Sequence, residues 1–176
     1  MKPDTGGSSV GVSVVRSAPQ LRAALDEAFL LDPVVLLQPL VHGQEISIGV
    51  WTDDAGSMHA TGASLLHLPD GEAAFTYAHK YEDAGGWLEI PAQLPAQQLA
   101  ELQKVALETA AAVGVEGLAR VDVFATEDAI LLNEINTMPG LRRHSHFPRL
   151  VAASGTSYDD LLDSLVRQVA RTRAAA

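Results

Sequence analysis

Cysteine is absent from this 176-residue chain, which removes disulfide frameworks, thiolate nucleophiles and zinc–thiolate centres from consideration. Cations are scarce: 12 Lys and Arg stand against 22 Asp and Glu, for a formal net charge of −10 and a pI near 4.9. A sequence-independent grip on nucleic acid needs a basic face, so that class is excluded, and any phosphate ligand requires local cations or a metal. No apolar run approaches the roughly 18 residues that read as a membrane span, and the amino terminus lacks a charged-then-apolar leader. With no cysteine, this fits a cytoplasmic protein. Hydrophobic residues make up 47% of the chain, enough for a core in one domain, although the length is short for a complete two-substrate enzyme. Met1-Lys-Pro-Asp-Thr-Gly-Gly-Ser-Ser9 enters a polar glycine loop with no element before it, as expected of a chain that begins inside a larger fold.

What is present alternates between two periods. Val10, Val12 and Val14 read as a strand, with the glycine loop at the tip of a hairpin. Ser17-Ala-Pro-Gln20 has the form of a capping box and opens a helix over about 18–31, which Asp32-Pro33 stops. Val34 to Leu37 reads as a short strand. Glu45 to Trp51 and residues 58–67 read as an antiparallel pair around a Thr52–Gly56 turn. Residues 69–86 read as a loop. Leu99, Leu102, Ala106, Ala110 and Val113 mark the buried stripe of a helix ending at Gly114. Phe147 to Ala153 and a segment opened by Ser157, carrying Tyr158, Leu161, Leu165 and Val169, give two more helices. The fold class is α+β with mostly antiparallel pairing, because the helices are too few and too unevenly spread for a doubly wound sheet.

The densest information lies in Gly117 to Phe124 and Ala129 to Gly140. Both alternate apolar with polar residues, and Thr126-Glu127-Asp128 can turn the chain between them. A tight turn near residue 128 sets Asp122 opposite Glu134 and Arg120 opposite Asn136. Two facing carboxylates are tolerated only beside a cation or on an open, solvated surface. Asp, Glu and Asn are hard oxygen ligands suited to magnesium. The competing reading is a wet polar face behind a core of Ala119, Val121, Val123, Leu131 and Ile135. The Pro139-Gly140 exit, which exposes backbone N–H groups beside the carboxylates, favours a ligand site.

Other motifs are weaker alone. Lys2 with Gly6-Gly-Ser-Ser-Val-Gly11 can bind phosphate or be a flexible surface hairpin; it is not a Walker loop, having no Gly-Lys-Ser/Thr. Lys80 lies in a basic, aromatic cluster, and Glu45 can accept from ribose hydroxyls. His144-Ser145-His146 makes neither a hydrolase nor a zinc centre, because it has no nucleophile elbow and no nearby carboxylate. Arg142 and Arg143 either contact an anion or cap a helix.

Together and in order, Lys2-Pro3, Gly-Ser-Ser-Val-Gly11, His-Gly-Gln-Glu45, His-Lys-Tyr81, Gly-Leu-Ala-Arg-Val-Asp122 and Asn-Glu-Ile-Asn-Thr-Met-Pro-Gly140 resemble D-alanine:D-alanine ligases of the ATP-grasp superfamily, over their carboxyl-terminal part. The resemblance implies one ATP-grasp domain over 1–176, with a nucleotide-side lobe over about 1–67 and a metal- and substrate-binding lobe over about 68–176. It implies ATP clamped between antiparallel sheets by Lys2, Ser8, Ser9 and Lys80, with Gln38, Val41 and Phe124 on the adenine side and Glu45 on the ribose. Asp122, Glu134 and Asn136 match ligands of two magnesium ions, which manganese can replace. Arg120, Ser9, Tyr81 and Gly140 match catalytic positions, and Tyr81, Arg120, Gly140, Ser145 and His146 substrate-side ones. The implied reaction joins two D-alanine molecules through an acyl phosphate, for peptidoglycan synthesis, cell-wall biogenesis and cell shape, in a homodimer at full length with no nucleic-acid or membrane partner. Gln38 replaces a usual glutamate, and Arg142, Arg143 and His146 replace small, polar or aliphatic residues around the acceptor. The alternatives are therefore a carboxylate ligase with another acceptor and a catalytically incomplete ATP-binding fragment.

Overall fold

The computed structural model describes residues 1–5, 7, 9–68 and 87–175, the side chains of 172–175 excepted. The expected loop over 69–86 therefore lies outside the described residues. The chain forms two compact units, one of Met1–Val41 with His67–Trp87 and one of His42–Leu66 with Leu88–Ala176.

In the first unit, β1 (Lys2–Pro3) pairs antiparallel with β2 (Val35–Leu36), setting Lys2 opposite Leu36. The helix expected from residue 18 is α1 (Ala18–Phe29), with proline in its first turn and Ala24 and Ala28 buried. The expected capping box does not form. The Arg16 N–H donates to Gln20 Oε1 at 2.9 Å, whereas Ser17 makes no side-chain cap. The strand expected at Val10, Val12 and Val14 does not form. Met1 and Ser13 exchange both backbone bonds at 3.0 Å, but Pro3 has no N–H to extend the ladder, and Val10 and Val12 are exposed. α1 ends at Phe29 with Leu30 as its C-cap, two residues short of the expected end, and the buried Asp32 ties its neighbours together: its carboxylate accepts from the Thr5 N–H at 2.8 Å, the Thr5 hydroxyl and the Val34 N–H at 2.8 Å. Those bonds, the Thr5 hydroxyl first, hold its pKa below the ordinary carboxylate value.

The second unit is a five-stranded sheet in the order β5-β4-β3-β6-β7, with all pairings antiparallel. Its strands are β3 (Gln44–Thr52), β4 (Met58–Leu66), β5 (Leu88–Glu89), β6 (Leu118–Ala125) and β7 (Ile130–Asn136). Alternation divides its residues between two faces. One face is apolar: Ile46, Ile48, Val50, Ala63, Val121, Val123 and Ala125 pack on α2 (Ala96–Ala112) through Leu102, Ala106 and Ala110. Val113, expected in that stripe, is 57% exposed because the helix has already ended. Gly114, at φ +67°, lets the chain close a Schellman motif, with Gly114 N–H on the Ala111 carbonyl at 3.1 Å and Val115 N–H on that of Ala110 at 2.9 Å.

The other face carries Glu45, Ser47, Gly49 and Trp51 of β3 opposite Phe124, Asp122, Arg120 and Leu118 of β6. One end of it is covered by α3 (His146–Ala153), which packs with α4 (Tyr158–Ala175) through Phe147, Val151 and Leu161. Gly49 makes that approach possible: a Cβ there would lie 2.9 Å from Thr61 Cγ2 and 3.1 Å from Phe147 Cε2. Val169, expected in the apolar stripe of the last helix, is 53% exposed. No helix among the described residues is long and apolar enough to cross a membrane.

Candidate functional site

The hairpin forms in the expected register, with Asp122 opposite Glu134 and Arg120 opposite Asn136. Thr126 makes its turn: the hydroxyl accepts from the Ala129 N–H at 3.0 Å and from the Asp128 N–H at 3.3 Å. A bulge follows between Asp122 and Val123, leaving Asn133 without an opposite partner. It breaks the alternation of β7, so Leu131, expected in the core, is exposed.

Spacing two residues apart on β6 puts Arg120 and Asp122 side by side. Arg120 donates in a fork, Nε to Asp122 Oδ1 and Nη2 to Oδ2, both at 2.7 Å. The pair is largely buried, with 19% of the arginine side chain and 6% of the aspartate side chain exposed. Burial alone lowers the guanidinium pKa, but the bonds and charge of Asp122, then the charges of Glu134 and Glu45, outweigh it and hold it above its ordinary value. The cation that the facing carboxylates call for is thus supplied in part by the strand itself.

Oxygen donors remain. Each Asp122 oxygen keeps a further lone pair beyond its bond to Arg120. Glu134 is exposed, and Asn136 Oδ1 accepts from the Met138 N–H at 3.0 Å. An all-oxygen set on one strand face fits a hard divalent cation. Its third member is an amide: among the described residues, no group of three or more His, Cys, Asp or Glu side chains is spaced to hold a metal.

His146 opens α3 beside this pair, and its Nε2 lies 2.7 Å from Ser64 Oγ. Burial first, then the nearby Arg120 charge, with Arg149 adding to them against the opposing pull of Asp122, lowers its pKa to about 4. The ring is neutral at pH 7. Ser145 occupies the helix-capping position without making a side-chain cap, and a Cβ on Gly140 would lie 3.1 Å from its Oγ. The Gly140–Ser145 turn is tied to α4, because Tyr158 donates to the Leu141 carbonyl at 2.8 Å and Arg143 pairs with Asp159 at 3.0 Å. Arg143 also stacks over the Tyr158 ring, 4.5 Å from its centre. It therefore serves as a strut here, and the anion it contacts is the Asp159 carboxylate of α4.

In the first unit, Lys2 is half-buried on β1, Gln38 is exposed and Val41 half-buried. Ser9 has φ +59°, a left-handed conformation that costs a non-glycine residue roughly 1–2 kcal/mol and is found where a loop is shaped for a task. Glu45 and Phe124 are register partners on the polar face of the second unit. Ser8, Lys80 and Tyr81 lie outside the described residues.

Sequence reasoning passed over Ser64 and Ser47. Both are buried, and they are register partners, with Ser47 in turn opposite Asp122. A polar row therefore crosses four strands as Ser64, Ser47, Asp122 and Glu134. The one available signal was a small hydroxyl flanked by apolar residues in each strand, Ile46-Ser47-Ile48 in β3 and Ala63-Ser64-Leu65 in β4.

Residues 1–167 match the family described as D-ala D-ala ligase C-terminus. The chain is 41% identical over 168 residues to a D-alanine–D-alanine ligase of Corynebacterium jeikeium, covering 94% of this chain and 45% of that protein. It spans about half the length of the curated relatives it matches. Among solved structures, the D-Ala:D-Ser ligase VanG of Enterococcus faecalis superposes with a TM-score of 0.82 at 29% identity, over 95% of this chain and 48% of that one. A D-alanine–D-alanine ligase of Bacillus anthracis gives 0.80 at 30% identity, over 99% and 55%.

Proposed function

The chain belongs to the D-alanine:D-alanine ligase carboxyl-terminal family, with its ATP-grasp fold, and from that membership we propose that it is the ATP- and metal-binding part of an enzyme that joins two D-alanine molecules. The observation that carries the reading is the polar face of β6 and β7, where Asp122 meets Glu134, and Arg120, forked onto Asp122, meets Asn136. Asp122, Glu134 and Asn136 would hold magnesium, in one or two ions. When bound, the metal would neutralise phosphoryl charge.

The chain's own residues do the rest of the work by position. Lys2, Ser8, Ser9 and Lys80 contact the nucleotide phosphates, Gln38, Val41 and Phe124 the adenine side, and Glu45 the ribose. The left-handed Ser9 supports that role for the glycine loop. Transfer of the terminal phosphoryl group of ATP to the carboxylate of one D-alanine makes an acyl phosphate and ADP. Attack by the amine of a second D-alanine then forms the peptide bond, with loss of phosphate and a proton. Negative charge grows on the carbonyl oxygen during attack, and donors aimed at it lower the barrier. Arg120 keeps Nη1 unused in its fork and, with the Gly140 N–H, fills that role. The open first turn of α3 and the uncapping Ser145 hydroxyl suit the acceptor carboxylate, and the family pattern gives Tyr81 a substrate-side role as well. The setting is peptidoglycan synthesis in a bacterial cytoplasm, by a homodimer of the longer enzyme.

Phosphate release from ATP and magnesium tests this reading. It is expected only when D-alanine is added. A second reading, another acceptor, is favoured by His146, whose imidazole replaces a usual aliphatic residue and feels the charges of Arg120 and Asp122. Release with other D-amino or D-hydroxy acids and none with D-alanine alone would replace the first reading with the second.

A further inference from the structure

We propose that Ser64 is a positioning residue for the acceptor side of the site, acting through its hydrogen bond to His146. The proposal rests on assigning the Gly140–His146 segment to the acceptor. Ser64 is 1% exposed on β4, and a hydroxyl withdrawn from water destabilises a fold unless it is bonded. Two partners are within reach, the Ser47 carbonyl at 3.5 Å and His146 Nε2 at 2.7 Å. Only the second has the distance of a good hydrogen bond. Ser64 is thus held by the imidazole, and the imidazole by Ser64.

The consequence is mechanical. α3 has only eight residues, and it is bonded to β4 near both ends. The Gly62 N–H donates to Ser154 Oγ at 2.7 Å at its carboxyl end, and Ser64 holds His146 at its amino end. Phe147 seats the helix on Gly49 between these points. The preceding turn is tied to α4 instead, through Leu141 and Arg143. Ser64 is therefore the sheet-side anchor of the helix start, and it stands in the same register row as Asp122 and Glu134. It fixes the first turn of α3 relative to the row that would carry the metal. Displacement of about 1 Å within a reacting pair can cost on the order of a hundredfold in rate.

The test compares Ser64→Ala, Ser64→Thr, His146→Ala and the Ser64→Ala/His146→Ala double variant in the ligase that carries this chain. Ser64→Ala is expected to raise the KM for the acceptor D-alanine by roughly tenfold, a smaller displacement than the one above, and to shift the His146 Nε2 resonance. The KM for ATP stays at its wild-type value, while the melting temperature falls by a few degrees, as the loss of one partner of a buried hydrogen bond requires. Ser64→Thr, which keeps the hydroxyl, restores the acceptor KM, and Ser64→Ala adds nothing in the His146→Ala background. A wild-type acceptor KM in Ser64→Ala, or a rise in ATP KM as large as that in acceptor KM, overturns the proposal while the ligase reading stands. An additive double variant overturns the route through His146. A wild-type enzyme with no D-alanine-dependent phosphate release overturns the functional reading and this proposal with it.

Discussion

Arg120 and Asp122 form a bidentate pair with little access to water, and removing one charge of such a pair leaves the other buried without compensation. Asp122→Asn is therefore expected to destabilise the fold by about 3 kcal/mol, read as a lower urea midpoint at unchanged slope. Glu134 faces it across the ladder but is exposed, so Glu134→Gln should change stability by less than about 0.5 kcal/mol while abolishing magnesium-dependent turnover. Undiminished turnover in that variant would remove Glu134 from the metal site. His146 titrates in the opposite sense to a histidine that gains a carboxylate partner. Its folded pKa, about 4, lies below the ordinary 6.5, so the unfolded chain takes up a proton first as pH falls. Its contribution is complete above pH 6.5 and is lost as pH falls toward 4, by up to about 3 kcal/mol. Arg120, Arg149 and Asp122 are the charges that act on it. Urea midpoints between pH 7 and pH 4.5 should fall less steeply in His146→Gln than in the wild type; equal slopes would contradict the assignment.

At the level of elements, the sheet tolerates a helix on its polar face only where glycine allows it. A methyl group on Gly49 meets Thr61 and Phe147 at 2.9 and 3.1 Å, so Gly49→Ala should cost about 1–3 kcal/mol, measured by thermal or urea unfolding. If the variant matches the wild type, α3 does not pack there as described. The β6–β7 hairpin was readable from its residues because two independent signals agreed: a period of two on both sides, and a threonine able to bond its own turn. The Val10–Val14 run shows the opposite case. Its alternation was real, but a strand exists only by pairing, and alternation alone does not reveal that Pro3 opposes extension of the ladder. The unformed capping box at Ser17 makes the same point, since the Gln20 side chain reached Arg16 in place of the cap residue.

For the whole molecule, a net charge of −10 means that any salt screens self-repulsion, so a specific metal effect must be separated from ionic strength. Magnesium chloride is expected to raise the melting temperature beyond sodium chloride at matched ionic strength, because a ligand bound only by the folded state stabilises it by mass action, about 2.7 kcal/mol at a hundred times its Kd. The increment should vanish in Glu134→Gln; identical melting in the two salts would argue against a metal on the β6–β7 face. The sequence by itself determined most element types, the antiparallel class, the facing of Asp122 with Glu134 and of Arg120 with Asn136, and the family, since these follow from periods, turns and ordered motifs along one chain. Tertiary structure alone decided that the Arg120–Asp122 pair is withdrawn from water, that Arg143 is a strut on Tyr158, and that His146 is a neutral ring anchored on Ser64. Ser64 and His146 are 82 positions apart, and Arg143 and Asp159 are 16 apart. A side chain's partner and charge state are set by what burial brings within about 3 Å, which no local pattern encodes.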